Sequence, residues 1–347
     1  MNQRPMRYRP VNRSNVEERN KRLEQIKYIK LAIVIQLILL AIVYMFLLIS
    51  VIACDGEIDP MTDPTISDSG SDSLDSSDPD HSSDSESTTI ELPGGLTYKY
   101  VEKSQSATQL GLLTLIDQNH EYTFADTLGL TSIRDHRPTN AAGSGIYQMN
   151  GYEMYLRTEA FEAMNALITA HYASTTEQDL LLAHAYRSYA DQQSLYEKNP
   201  NSALLPGTSD YHSGYSFALQ PTNGKTELFN TMIADCYKYG IIQRYPPSKG
   251  DITGIDYDDK HYRYVGIPHA YLMHEYDYCL EQYLDYVKAH PFDGEHIIFD
   301  IEGVGSYNIY YVAAEADGTT MVPVPEIYEY TISGNNDGGF IVCIKTK

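Results

Sequence analysis

The sequence predicts an α+β fold with a β-rich C-terminal extension, preceded by one transmembrane helix. Three observations carry this expectation. Residues 31–53 are an almost unbroken apolar run, and residues 153–172, 226–239 and 269–288 repeat apolar side chains at helical spacing. After Pro291 the pattern changes to strand-like alternation between turn residues.

The apolar run, LAIVIQLILLAIVYMFLLISVIA, has only Gln36 and Ser50 as clearly polar side chains. At about 1.5 Å per residue it makes roughly 34 Å of helix, enough to cross a hydrocarbon core of about 30 Å. Arg4, Arg7, Arg9, Arg13, Arg19, Lys21, Arg22, Lys27 and Lys30 precede it, and no Lys or Arg follows until Lys99. The positive-inside rule therefore makes residues 1–30 a basic cytoplasmic tail and 31–53 the anchor of a single-pass plasma-membrane protein. Everything after residue 53 is expected outside the cell. Val51-Ile52-Ala53-Cys54 also resembles a bacterial lipobox, so lipidation of Cys54 is the alternative anchor.

Residues 54–95 read as a disordered tether. Within 55–91 stand twelve Asp or Glu, many Ser and no Lys or Arg. Such a stretch buries too little surface to offset its ordering entropy, and its like charges repel. It lacks the spaced D-x-D-x-D-G pattern of a calcium loop. More than half of the formal net charge of −22 lies here, and nucleic acid is not an expected partner.

From residue 96 the composition becomes that of a globular domain. Besides the three helical segments, Asp179 to Tyr186 (DLLLAHAY) reads as a short buried strand, and residues 261–266 (HYRYVG) as another ending at a glycine. Four alternating stretches, HIIFDI, YNIYYVAA, YEYTIS and FIVCIK, make residues 291–347 a small antiparallel β extension of the 96–290 domain. The chain has 31 Tyr and no Trp; Tyr faces can stack on sugars, but without a cluster in space they read as packing residues. Cys54, Cys236, Cys279 and Cys343 show no C-x-x-C spacing, which favours buried free thiols, with a Cys236–Cys279 bridge as the alternative.

Three motifs occur in order. Tyr186-Arg187-Ser188-Tyr189 runs on to Gln192 and Leu195-Tyr196. Pro206-Gly207-Thr208-Ser209-Asp210-Tyr211-His212-Ser213-Gly214 follows. Then Tyr239-Gly240-Ile241-Ile242-Gln243-Arg244-Tyr245-Pro246 continues through Lys249, Thr253-Gly254-Ile255 and Tyr257 to His261-Tyr262-Arg263-Tyr264-Val265-Gly266. Together, over roughly residues 110–285, these resemble the VanY-type zinc D-alanyl-D-alanine carboxypeptidases, which trim the peptide stems of bacterial cell wall.

The resemblance implies three protein ligands on Zn²⁺ and an open position for an activated water. The family draws two ligands from S-E-H-x-x-G-x-A-x-D and the third, with the general base, from E-P-W-H. Aligned on Ser209 and Gly214, the first ligand position is Tyr211 and the second Ala218; the third is retained as His261, and the base position holds Asp258. Ala218 offers no donor and neutral Tyr is a poor zinc ligand, so zinc, the family's cofactor, is not expected here. A rewired set of His184, His212 and His261 is the alternative. On the substrate side the resemblance places Arg187, whose guanidinium suits a carboxylate, with Ser188, Gln192 and Ser209. The alternative for Arg187 is a structural pairing with a carboxylate such as Asp191 or Asp258, and His269 reads as a scaffold residue.

The expectation is therefore a pseudopeptidase that binds peptidoglycan stem peptide or a cell-envelope protein without hydrolysis. Its rivals are an active metallo-D,D-carboxypeptidase with an unusual metal site, and a structural surface domain.

Overall fold

The structure, a computed structural model, describes residues 97–123, 129–316 and 318–347. The predicted tail, anchor, lipidation site and tether lie outside the described residues. Among the described residues no helix is long and apolar enough to cross a membrane.

The core is a five-stranded sheet in the order β3-β5-β6-β8-β7, built from β3 (Gln148–Met149), β5 (Leu180–His184), β6 (Ser216–Pro221), β7 (Ile241–Tyr245) and β8 (Asp258–Tyr264). All neighbours are antiparallel except β3 and β5. The 18-residue helix α2 (Thr158–Thr175) and α4 (Thr226–Ala234) bury one face. There Phe161, Met164, Leu167 and Ile168 meet Phe217, Leu219 and Tyr262 of the strands. Period-two alternation turns Ser216, Ala218, His261 and Arg263 toward the opposite face, away from that core.

The helix predicted over 153–172 starts later, because Tyr155–Arg157 form β4 and pair with β2 (Leu130–Ser132) before the chain turns helical. A four-residue helix, α1 (Ile133–His136), follows β2, and α3 (Tyr189–Lys198) follows β5. The segment 226–239 divides at Asp235 into α4 and a 3₁₀ turn, Cys236–Tyr239. Beyond the short α5 (Gly250–Thr253), the helix predicted over 269–288 is two, α6 (Ile267–Glu275) and α7 (Leu280–Lys288). Asp277 takes a left-handed φ of 51° between them, a conformation Asp tolerates better than most residues, and the Gln282 side chain caps the restart at Cys279.

The C-terminal alternation forms a four-stranded antiparallel sheet in the order β12-β13-β10-β9, from β9 (Ile297–Ile301), β10 (Gly305–Ala313), β12 (Glu329–Gly334) and β13 (Gly339–Lys345). It is not an appendage. Ile297, Tyr307, Ile309 and Ile341 share one buried cluster with Leu113, Val265, Leu272, Tyr283 and Leu284.

A fifth strand, β11 (Thr319–Pro325), pairs antiparallel with β1 (Tyr98–Ser104), setting Pro323 opposite Tyr100 and Pro325 opposite Tyr98. Its two prolines argue against a strand in the sequence, yet a two-stranded ribbon is all edge, where a missing donor is tolerated. After β1 the chain runs through a 3₁₀ turn (Gln105–Gln109) so close to β12 that a Cβ on Gly334 would collide with the Thr108 carbonyl oxygen.

Candidate functional site

Strand register sets up the site. His184 on β5 stands opposite Ala218 on β6, and Ala218 stands opposite His261 on β8, so three adjacent strands place these residues in one row. The 3₁₀ turn Asp210–Ser213 lies over the row, ended by Gly214 at a left-handed φ of 72°. Tyr211 stacks on His261 with ring centroids 4.3 Å apart and 24° between planes, and its ring centroid lies 6.0 Å from that of His184. The two positions that resemblance assigns to missing ligands and the one it assigns to a retained ligand therefore converge in space.

Asp210 anchors this turn from below. It is fully buried and accepts from Arg263 Nη1 and from the Ser216 hydroxyl. His261 Nε2 lies 3.3 Å from its Oδ2, and Arg244 Nε 3.5 Å from its Oδ1. Burial alone would raise the Asp210 carboxyl, but Arg263 and Arg244, with His261, outweigh it and hold it far below the carboxylate range. Arg244 forks onto both oxygens of Glu281 at 3.1 and 2.8 Å, and Arg263 Nη2 donates to the carbonyls of Leu112 and Thr114. The motifs QRYP and HYRYVG thus supply a buried ionic frame. Sequence reasoning missed that role, although an Arg inside an apolar strand run signals a buried acidic partner.

Arg187 leaves β5 beside the row. Its Nη1 donates to Gln192 Oε1 at 2.8 Å, and its guanidinium sits 4.9 Å from the Tyr211 ring centroid. Neither Asp191 nor Asp258 is its hydrogen-bond partner: Asp191 takes the Ser188 hydroxyl at 2.6 Å, and Asp258 Oδ1 accepts from the Lys260 amide at 3.0 Å. Ser188 is the N-cap of α3, and its Oγ accepts from the Asp191 amide. Gln192 is buried, donates to the Leu204 carbonyl and fixes Arg187 with its other end. Ser209 is buried at the start of the turn.

Three electrostatic effects follow. Burial pushes the Tyr211 hydroxyl well above its ordinary pKa, reinforced by Asp258 and opposed by Arg187. Burial, with Arg187 and His261 nearby, lowers His184. Burial also lowers Arg187, against Tyr211 and Asp191.

These residues do not fit a zinc ion. A phenol is a poor zinc ligand and burial raises the Tyr211 hydroxyl further, Ala218 has no donor atom, and His261 is the one conventional ligand among the three positions. Nor is a set of His184, His212 and His261 available. His212 Nδ1 bonds the Arg187 carbonyl at 2.7 Å and its Nε2 accepts from the Gly207 amide at 3.1 Å, so the ring joins two loops with both nitrogens. Among the described residues no group of three His, Cys, Asp or Glu side chains is placed to share a metal ion.

His269 lies outside the site, buried, with Nδ1 2.6 Å from the Tyr283 hydroxyl. Cys236 and Cys279 are free and buried, so the alternative of a bridge between them is not realised; burial pushes their thiols up to about 12 and 11.

The D-alanyl-D-alanine carboxypeptidase family model VanY matches residues 153–267, from just before β4 to just past the HYRYVG motif. Residues 153–267 are thus a VanY-type domain. A D-alanyl-D-alanine carboxypeptidase of Enterococcus faecium is 34% identical over 168 residues, covering 47% of this chain and 53% of that protein. The bifunctional D-Ala-D-Ala dipeptidase and carboxypeptidase VanXYC of Enterococcus gallinarum is 28% identical, over 39% of this chain and 80% of its own. The chain spans about half the length of the Enterococcus faecium relative. Among solved structures, the vancomycin-resistance D,D-dipeptidase VanXYg, in complex with a D-Ala-D-Ala phosphinate analog, superposes with a TM-score of 0.61 at 25% identity. That match covers 72% of this chain and 99% of the other. The core is thus a mixed α/β domain that shares the fold of that structure.

Proposed function

We propose that this VanY-family protein is a non-catalytic reader of cell-wall peptide, held at the outer face of the plasma membrane by the anchor at residues 31–53. Its ligand would be a peptidoglycan stem ending in D-Ala-D-Ala, the dipeptide named for its relatives. One observation carries the reading. The row His184–Ala218–His261 keeps the shape of a ligand site while Tyr211, stacked on His261, occupies the place of a donor. A neutral ring over a lone imidazole activates no water, whereas Arg187, held by Gln192 beside that ring, suits the terminal carboxylate of a peptide.

The test uses the full-length protein in detergent, with zinc content and D-Ala release from a muramyl pentapeptide measured beside peptide binding by calorimetry. Binding that survives chelator and is lost in Arg187→Ala supports the reader. Stoichiometric zinc with turnover would establish an active metallo-D,D-carboxypeptidase instead, and no binding by wild type would leave a structural surface domain.

A further inference from the structure

The backbone of Arg187 is held on both sides of its Cα by the turn that carries Tyr211. Its amide donates to the Tyr211 carbonyl at 3.3 Å, and its carbonyl meets Nδ1 of the next residue in that turn, His212, at 2.7 Å. The side chain then lies over the same turn, its guanidinium 4.9 Å from the Tyr211 ring centroid. Two consecutive residues therefore tie the guanidinium of the site and the ring that covers His261 into one assembly.

The partners of His212 fix its chemical form. The Gly207 amide can only donate, so Nε2, 3.1 Å away, is the bare acceptor nitrogen. The Arg187 carbonyl can only accept, so Nδ1 carries the hydrogen. One neutral tautomer satisfies both partners, and neither the other tautomer nor the imidazolium does. The ring is buried, with Tyr189 laid nearly parallel to it, 20° between planes and 6.4 Å between centroids. Gly207 is itself anchored, because its carbonyl accepts from the Tyr122 amide at 2.7 Å. The far end of His212 thus bears on a fixed point.

We infer that His212 is the positioning residue of the peptide site: as the neutral Nδ1–H tautomer it pins the Arg187 backbone, so that the guanidinium held by Gln192 is preset for a peptide carboxylate. It acts through Arg187 and not on the ligand. The inference rests on the reading of Arg187 as the carboxylate receptor. A long, rotamer-rich side chain loses freedom when it binds. One already fixed through its backbone and at Nη1 loses less, and the difference appears as affinity for the carboxylate.

Two substitutions separate the two nitrogens. In His212→Asn the amide nitrogen stands in the place of Nδ1 and can still donate to the Arg187 carbonyl. In His212→Gln the amide oxygen reaches the place of Nε2 and can still accept from Gly207. The full-length protein in detergent is isotopically labelled at the nitrogens of histidine and arginine for NMR, with His212→Asn and Arg187→Ala assigning the signals. Wild type should show a protonated Nδ1 and a bare Nε2 at His212, and an ordered Nε–H at Arg187. His212→Asn should keep that order and His212→Gln should lose it. The binding probes are acetylated Lys-D-Ala-D-Ala as the free acid and as its C-terminal amide. Wild type and His212→Asn should prefer the acid, and His212→Gln should cut that preference about tenfold. A protonated Nε2, an Arg187 equally ordered in His212→Gln, or equal losses of acid and amide affinity overturns the inference. If wild type binds neither peptide, the reader itself falls, and the tautomer and the order of Arg187 still decide the role of His212.

Discussion

The ring of Tyr211 lies over that of His261 with centroids 4.3 Å apart. Tyr245 meets the same imidazole edge-on at 4.9 Å, and Asp210 approaches its Nε2 at 3.3 Å. Where resemblance places a zinc ligand, His261 is packed as a core residue. Its neighbours are two aromatic rings and a carboxylate already held by arginine.

Restoring the donors tests that account. Tyr211→His, Ala218→Asp and Asp258→Glu in one protein should bind zinc with about one ion per chain, because the three ligand positions share a neighbourhood across β6, β8 and the turn. Inductively coupled plasma spectrometry measures it. The same metal content as wild type would sink the assignment of these positions.

The buried ionic frame predicts a large effect from a small change. Asp210→Asn leaves Arg263 and Arg244 buried without their shared carboxylate, which should cost about 3–5 kcal/mol by urea unfolding. A loss within the range of surface substitutions would show the frame to be dispensable.

Ser188 and Gln192 should separate. Ser188→Ala removes an N-cap and should cost about 1 kcal/mol of stability with little change in peptide binding. Gln192→Ala leaves buried groups unmatched, at about 1–3 kcal/mol, and also frees the Arg187 side chain, so peptide affinity should fall with it. Calorimetric binding beside thermal unfolding distinguishes them, and equal affinity losses would return Ser188 to the substrate side.

His269 sets a pH dependence. Burial lowers it to about 3 from an ordinary value of 6.5. The unfolded chain therefore binds a proton below about pH 6.5 that the native protein refuses until about pH 3, and stability falls as pH falls through that window. The slope from this residue approaches about 1.4 kcal/mol per pH unit. His269→Gln, whose amide oxygen can still accept from Tyr283, should flatten the curve over that range; unchanged slopes would mean that other groups carry it.

Much of this was legible in the residues. Alternation after Pro291 gave four of the C-terminal strands, and the motifs' resemblance to the VanY type pointed to His261, Tyr211, Ala218 and Arg187, which the fold does bring together. What was hidden depended on partners remote in sequence. Glu281 looks like any exposed helical carboxylate until Arg244 reaches it across 37 positions, and Asp210 looks like a turn residue until Arg263 closes on it. His212, weighed as a ligand, has both nitrogens taken by loop backbone that no periodicity announces. β11 was masked by its own prolines, and the break at Asp277 by an apolar spacing that continues through it.

The pairing of β1 with β11 has a mechanical consequence. Among the described residues, a pull transmitted along the chain from upstream arrives first at Thr97, whose carbonyl accepts from the Glu326 amide, and at the seven residues of β1 laid against β11. Beyond that ribbon the Thr108 and Leu110 carbonyls accept from the Asn336 and Gly334 amides, and then comes the Leu112–Thr114 segment clasped by Arg263, which also holds Asp210 beneath the turn. The ribbon therefore works as a strain relief: tension must peel or shear it before any load reaches the guanidinium that keeps Tyr211 seated on His261.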